Sequence, residues 1–322
     1  MPRVGLYARD VSVHAPIVTL TMNPALDVSS STEKVVPEHK LRCGPSRFDP
    51  GGGGVNVSRA IRNLGGNSIA IYPLGGPTGQ AYRGFIEAEG VVGRVITIKG
   101  STRESFTIDE LSTGGQFRFV LQGPTLREPE WRACLSVVGD LLPVGGYLVA
   151  SGSLPPGVPD GFYALLARIA GEHDVRLVVD ASGPPLAAAL DERVFLIKPS
   201  LRELAELIGA EDTLDARQQV EAAQAIVAAG RAEIVALTLG GAGAVLATAV
   251  GVLRLPTPRI DVKSTVGAGD AFLAGLVLRL AEGRAVADAF RTAVAAGTAT
   301  AMRSATGLCR ADDVARLEAE LA

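Results

Sequence analysis

The sequence predicts an α/β protein: a doubly wound, mostly parallel sheet flanked by helices, with a small β-sheet lid. Three observations carry that expectation. Short apolar, β-branched runs at residues 68–74, 147–151, 176–180, 194–198 and 234–239 alternate with amphipathic stretches at 55–64, 161–173 and 216–229. Runs that are apolar on both faces belong in a parallel sheet covered on both sides by helices. Two segments, 28–50 and 103–121, break this rhythm and require a structure of their own.

The elements follow in order. Residues 1–15 show no periodicity and read as an N-terminal extension. Ile17-Val18-Thr19-Leu20-Thr21-Met22 is the first buried strand. Residues 28–50 are rich in Ser, Pro and charge, with Val35 and Val36 placed in a strand. In 103–121, Phe106, Ile108 and Leu111 lead to a Thr113-Gly114-Gly115 turn and then to Phe117, Phe119 and Leu121, the alternation of a hairpin with one apolar face. The division expected is therefore a core of 16–27, 51–102 and 122–322, and a lid of 28–50 and 103–121. Small isolated sheets are marginal in water, so the lid's apolar face needs a cover; the lid of a second copy supplies one, and a homodimer is expected. Helices follow over 271–282 and 286–302.

Composition removes several function classes. The chain has 322 residues, enough for a substantial core. Hydrophobic residues make up 47%, with no run near the roughly 20 residues that span a bilayer. The first residues lack the charged and apolar regions of a secretory signal. Thirty-one basic against 34 acidic residues leave a net charge of -3, and no basic cluster in the sequence suggests nucleic acid. Cys43, Cys134 and Cys309 are scattered, as reduced cytoplasmic thiols are. His14, His39 and His173 have no metal-ligand spacing.

The strongest chemical signal is Ser264-Thr265-Val266-Gly267-Ala268-Gly269-Asp270. Small residues before a helix let successive N–H groups converge on one anion, and an Asp in the first turn can take a hydroxyl proton. Read alone, the run equally suits a helix start whose Asp offsets the dipole. Gly51-Gly52-Gly53-Gly54 predicts close approach of backbone to a ligand, with Asn56 in the next helical turn reaching a sugar hydroxyl; a flexible loop is the alternative. Asp27 and Ser151 follow strands, where open α/β sheets bind ligands, although Asp27 could equally cap a turn. Lys40, Arg42 and Arg103 put three cations on the lid, either for a substrate phosphate or as a solvated face. No GxxxxGK[ST] occurs, and no GxGxxG follows the first strand. Thr238 to Gly243, which includes Gly240 and Gly241, could hold adenine or ribose.

Taken in order, TMNPALD (21–27), GGGGVNVSRA (51–60), SGSLPPG (151–157), VVDASG (178–183), LIKPSLREL (196–204), LTLGGAGA (237–244) and STVGAGDAF (264–272) resemble the PfkB carbohydrate kinase family, of ribokinase fold. The resemblance covers the chain from about Pro16 onward. It implies Asp270 as the base, with Gly267, Ala268 and Gly269 as the anion hole. Asp27, Gly52, Gly53, Asn56 and Ser151 would hold the sugar. Lys40, Arg42 and Arg103 would reach its phosphate, the neighbouring subunit's lid contributing. Lys198, Ser200, Thr238, Gly240, Gly241 and Gly243 would contact ATP. Mg2+ would ride on the phosphates with Glu203 acting through water, and K+ would sit by Ser264 and Val266. Ser200 stands where the family commonly has Asn, and Arg303 to Gly307 is less glycine- and asparagine-like than the family's loop. Relatives acting on fructose 1-phosphate or tagatose 6-phosphate usually carry Lys where this chain has Gly53. The all-glycine form implies transfer to O1 of fructose 6-phosphate, with those two sugars as alternatives. A sugar-phosphate-binding regulator without turnover is the non-enzyme alternative.

Overall fold

The computed structural model describes residues 14–142, 144–210 and 213–321. Most of the segment read as an N-terminal extension, residues 1–13, lies outside them. In chain order the elements are β1 (Ile17–Leu20), β2 (Ala25–Thr32), β3 (Arg47–Gly51), α1 (Gly53–Asn63), β4 (Ile69–Leu74), α2 (Gly76–Ala88), β5 (Val92–Thr97), β6 (Arg103–Glu110), β7 (Gln116–Val120), α3 (Glu128–Leu141) and β8 (Tyr147–Ser151). The second half continues with α4 (Phe162–Glu172), β9 (Arg176–Asp180), α5 (Gly183–Asp191), β10 (Val194–Ile197), α6 (Leu201–Ile208), α7 (Ala216–Ala228), β11 (Ala232–Thr238), β12 (Ala244–Thr248), β13 (Gly251–Leu255), α8 (Ala268–Ala281), α9 (Val286–Ala301) and α10 (Ala311–Glu320).

Nine strands form one sheet in the order β13-β12-β11-β10-β9-β8-β1-β4-β5. It is parallel from β11 to β5, and β12 and β13 extend it antiparallel. β1 and β8 are buried at every position, which is why they read as continuous apolar runs. Alternate residues face opposite ways: Val18, Leu20, Leu148 and Ala150 pack with α3, α4 and α5, while Ile17, Tyr147 and Val149 pack with α1, α8 and α9. The expected α/β class with a separate small sheet is what the chain adopts.

The small sheet has the order β3-β2-β6-β7. β2 and β6 run parallel, with Asp27 opposite Ser105, and β6 turns back antiparallel into β7, with Thr107 opposite Arg118. Two readings need correction. Val35 and Val36 lie in no strand: Pro37 follows, Glu38 takes a left-handed φ of 62°, and the Val35 N–H donates to Glu110 Oε1 at 2.7 Å. Asp27 stands not at the end of a core strand but inside β2 of the small sheet, because Ala25 and Asp27 pair with Gly51 and Asp49 of β3.

One face of this sheet carries Asp27, Ser105, Thr107 and Arg118 toward the core. On the other, Phe106 lies opposite Phe119 and Ile108 opposite Phe117; Phe117 is 38% and Phe119 51% exposed.

Candidate active site

The glycines after β3 have a structural reason distinct from ligand approach. A Cβ on Gly51 would lie 2.0 Å from Asp27 Oδ2, and one on Gly53 would lie 2.2 Å from Ser151 Oγ and 2.8 Å from its carbonyl carbon. Gly52 has φ 124°, which strains any L side chain, and a Cβ there would press on Thr21. The run thus brings α1 hard against β1 and β8, so that Asn56 reaches Asp270: Asn56 Nδ2 donates to Asp270 Oδ2 at 2.9 Å.

Asp270 lies in the first turn of α8. Gly267, left-handed at φ 75°, caps that helix, and no side chain bonds its first N–H groups. The positive end of a fourteen-residue helix is therefore left open to an anion. Burial pushes the Asp270 carboxyl up to about 6, with the Asp180 charge adding to it; Asn56, Lys198 and Arg118 pull the other way. Lys198 is buried and ion-paired to Asp180 at 3.1 Å, and its ammonium comes within 3.3 Å of where a Gly269 side chain would begin. Asp180 in turn accepts the Ser151 hydroxyl at 3.1 Å. Asp27 is also pushed up to about 6 by burial, against the pull of Arg59, Arg103 and Arg118.

Two cavities meet at the Gly267–Asp270 turn. A cavity of 310 Å³ is lined by Asp27, Gly52, Gly53, Asn56, Arg103, Ser151, Glu203 and Asp270, and by Gly267 and Val266. A second, of 270 Å³ and largely apolar, is lined by Thr238, Gly240, Gly241, Gly243, Ala268, Gly269 and Phe272. The same turn therefore gives Gly267 and Asp270 to one cavity and Ala268 and Gly269 to the other. The first suits a polar, hydroxyl-rich molecule and the second a flat, mostly apolar ring.

Most of the anticipated residues converge here, and some do not. Lys40 and Arg42 are exposed on the segment between β2 and β3 and line neither cavity. Arg103 lines the first cavity, but its terminal nitrogens donate to the carbonyls of Leu121 and Asn23, at 3.1 and 3.0 Å. Ser200 lines neither: its hydroxyl caps α6 by accepting the Glu203 N–H, while Glu203 Oε2 accepts the Ser200 N–H at 2.7 Å. Ser264 is buried, and its hydroxyl accepts the Val266 N–H at 3.3 Å. Two residues escaped the sequence reading. Arg118 lines the sugar-sized cavity, and its position between Phe117 and Phe119 on an alternating strand was the signal that it faces inward. Asp180, which holds Lys198, closes β9 at a strand end like those of Asp27 and Ser151 in the sequence reading.

Comparison with known proteins places the chain in a family. Residues 15–313 match the model of the pfkB family carbohydrate kinases. The chain is 43% identical over 300 residues to ATP-dependent 6-phosphofructokinase isozyme 2 of Mycobacterium tuberculosis, covering 93% of this chain and 88% of that one. It is 39% identical over 308 residues to the Escherichia coli protein of the same name, 95% and 98% covered. A 1-phosphofructokinase of Borreliella burgdorferi is 32% identical over 94% of this chain and 96% of that one. The crystal structure of Escherichia coli phosphofructokinase-2 in complex with potassium superposes with a TM-score of 0.92 at 38% identity, over 95% of this chain and 99% of that one. Its complex with fructose-6-phosphate gives 0.90 at 37%, with the same coverage.

Proposed function

Because the chain belongs to the pfkB family of carbohydrate kinases, we propose that its two cavities transfer the γ-phosphoryl of ATP to O1 of fructose 6-phosphate. The observation that carries this reading is the Gly267–Asp270 turn, which opens one end on each cavity. Asp270 takes the O1 proton as that oxygen bonds to the γ-phosphorus; the bond to the bridging oxygen breaks and ADP leaves. Charge on the transferred group falls between the open N-terminus of α8 and Lys198. Asp27, Asn56, Gly52, Gly53 and Ser151 hold the sugar, and Arg103 with Arg118 faces its phosphate. Lys40 and Arg42 belong to the same task only from a second subunit, through a homodimer joined by the exposed Phe117 and Phe119 face.

Thr238, Gly240, Gly241 and Gly243 fit the nucleotide's base and ribose. Ser200 acts on it indirectly, by fixing α6. Glu203 faces the sugar cavity with one oxygen spent on Ser200, so the other suits a water on a Mg2+ ion carried by the phosphates. Ser264 and Val266, buried beneath the turn, are the place for K+. No helix among the described residues is long and apolar enough to cross a membrane. Free Cys43, Cys134 and Cys309 fit a cytoplasmic protein.

The test is ADP release with fructose 6-phosphate, fructose 1-phosphate and tagatose 6-phosphate in turn, with and without potassium. The highest kcat/KM is expected on fructose 6-phosphate. A higher value on fructose 1-phosphate overturns the substrate, and no release with any sugar phosphate overturns the reading as an enzyme. Fructose 6-phosphate is favoured over fructose 1-phosphate because the relatives named 6-phosphofructokinase isozyme 2 are 43% and 39% identical, against 32% for the 1-phosphofructokinase.

A further inference from the structure

A strongly basic hollow lies outside both cavities above. A third cavity, of 790 Å³, is lined by Arg47, Arg59, Arg62, Lys263, Arg303 and Arg310, with Glu89 as the one carboxylate among the described residues that line it. On a chain of net charge -3 this is a strong local excess. Arg47 is paired with Asp49 at 2.7 Å, and Arg59 with Glu89 at 2.6 Å. Among the described residues, no ion pair is recorded for Arg62, Lys263, Arg303 or Arg310. Their charges converge from α1, from the segment before the catalytic turn and from the loop between α9 and α10. Four uncompensated cations around one hollow repel each other, and a multiply charged anion relieves that repulsion.

Arg59 joins this cavity to the chemistry. It is 5% exposed, and besides Glu89 it donates to the Pro50 carbonyl at 3.0 Å and to Asn56 Oδ1 at 3.1 Å. Asn56 is the residue that holds Asp270. Asp49, 3.6 Å from Arg59, accepts the Thr306 hydroxyl at 2.6 Å and so ties the loop after α9 to the same network.

We propose that this cavity is an effector site for a small anion carrying two or more phosphoryl charges, and that its occupancy is transmitted through Arg59 and Asn56 to Asp270. An anion in the cavity competes with Asn56 for the Arg59 guanidinium; Asn56 then holds Asp270 less firmly, and turnover falls. The transmission rests on the kinase reading given above; the binding does not.

The test uses inorganic pyrophosphate as probe. Calorimetry without substrates compares the wild-type chain, Arg62→Glu/Arg310→Glu, and Arg83→Glu/Arg132→Glu. The last pair changes the net charge equally but sits on exposed helical faces. Binding is expected to weaken about tenfold or more in Arg62→Glu/Arg310→Glu and to stay unchanged in the control. Equal binding in all three proteins, or none in the wild type, overturns the site. Turnover is then measured with free magnesium held constant. Pyrophosphate is expected to lower kcat of the wild type at saturating sugar phosphate and to leave kcat of Arg62→Glu/Arg310→Glu unchanged. Loss of binding in that variant with the same inhibition in both proteins overturns the transmission. Arg59→Lys, which keeps the charge but not the fork to Glu89 and Asn56, is expected to bind pyrophosphate with kcat no longer responding to it; an unchanged response also overturns the transmission.

Discussion

At the scale of single residues, the site is costly to the fold. Asp270 and Asp27 are both held near 6 by burial. A carboxyl raised in the folded state contributes fully only at pH values below its ordinary value of 3.8, and that contribution is lost as pH rises through about 6. At pH 8 both groups therefore oppose folding, each by about 3 kcal/mol. Asp270→Asn is accordingly expected to cut kcat by about a thousandfold or more while raising stability at pH 8, in denaturant unfolding, by up to about 3 kcal/mol. Wild-type kcat should decline as pH falls through about 6, because protonated Asp270 can no longer accept the hydroxyl proton. A flat profile from pH 5 to 8 would remove Asp270 as the base. Gly53→Ala tests the neighbouring contact. Its Cβ meets backbone atoms of Ser151 and Gly152, which line the sugar cavity, so a loss of about 1–3 kcal/mol in stability and a raised KM for the sugar phosphate are expected.

At the scale of elements, α6 gives a clean test. Ser200 and Glu203 form a reciprocal cap, so Ser200→Ala should cost about 1 kcal/mol in equilibrium unfolding, whereas Ser200→Asn should cost little. The short Ser200 side chain is thus long enough to cap the helix. The core strands and helices were legible because their apolar pattern is local, and 147–151 and 176–180 coincide with β8 and β9. Val35 and Val36 misled because β-branched character favours a strand only where a partner edge exists, and Glu38 turns the chain away. Asp27, Asn56 and Asp270 could be singled out one by one. The Glu89–Arg59–Asn56–Asp270 chain could not, since its members come from distant segments and only packing brings them together. The two faces of the 103–121 hairpin were legible as alternation, but an Arg between two Phe residues on a strand is equally at home on a solvated face, so alternation alone does not put Arg118 in a cavity.

At the scale of the whole molecule, the small sheet shows water an apolar surface that Phe117 and Phe119 dominate. Phe117→Asp/Phe119→Asp is expected to convert a dimer to a monomer in sedimentation velocity. The same variant should raise KM for the sugar phosphate more than it lowers kcat if the proposed partner lid is what brings Lys40 and Arg42, exposed in the single chain, to that phosphate. A variant that stays dimeric would place the interface elsewhere.

The order of strands in the large sheet also bears on how the chain is made. β1 emerges early from the ribosome, yet its neighbours are β4 and β8, and Ile17 waits for Tyr147 before its second edge is filled. β2 likewise waits for β6. From β8 onward each strand joins the one synthesised just before it, through β9, β10, β11, β12 and β13. Nascent β1 and β2 are thus adhesive edges for much of translation, whereas the later strands zip on as they appear. Crowding of neighbouring ribosomes on one message is most hazardous to this protein over the stretch between β2 and β6, when two unfilled edges on one chain can pair with those of the next.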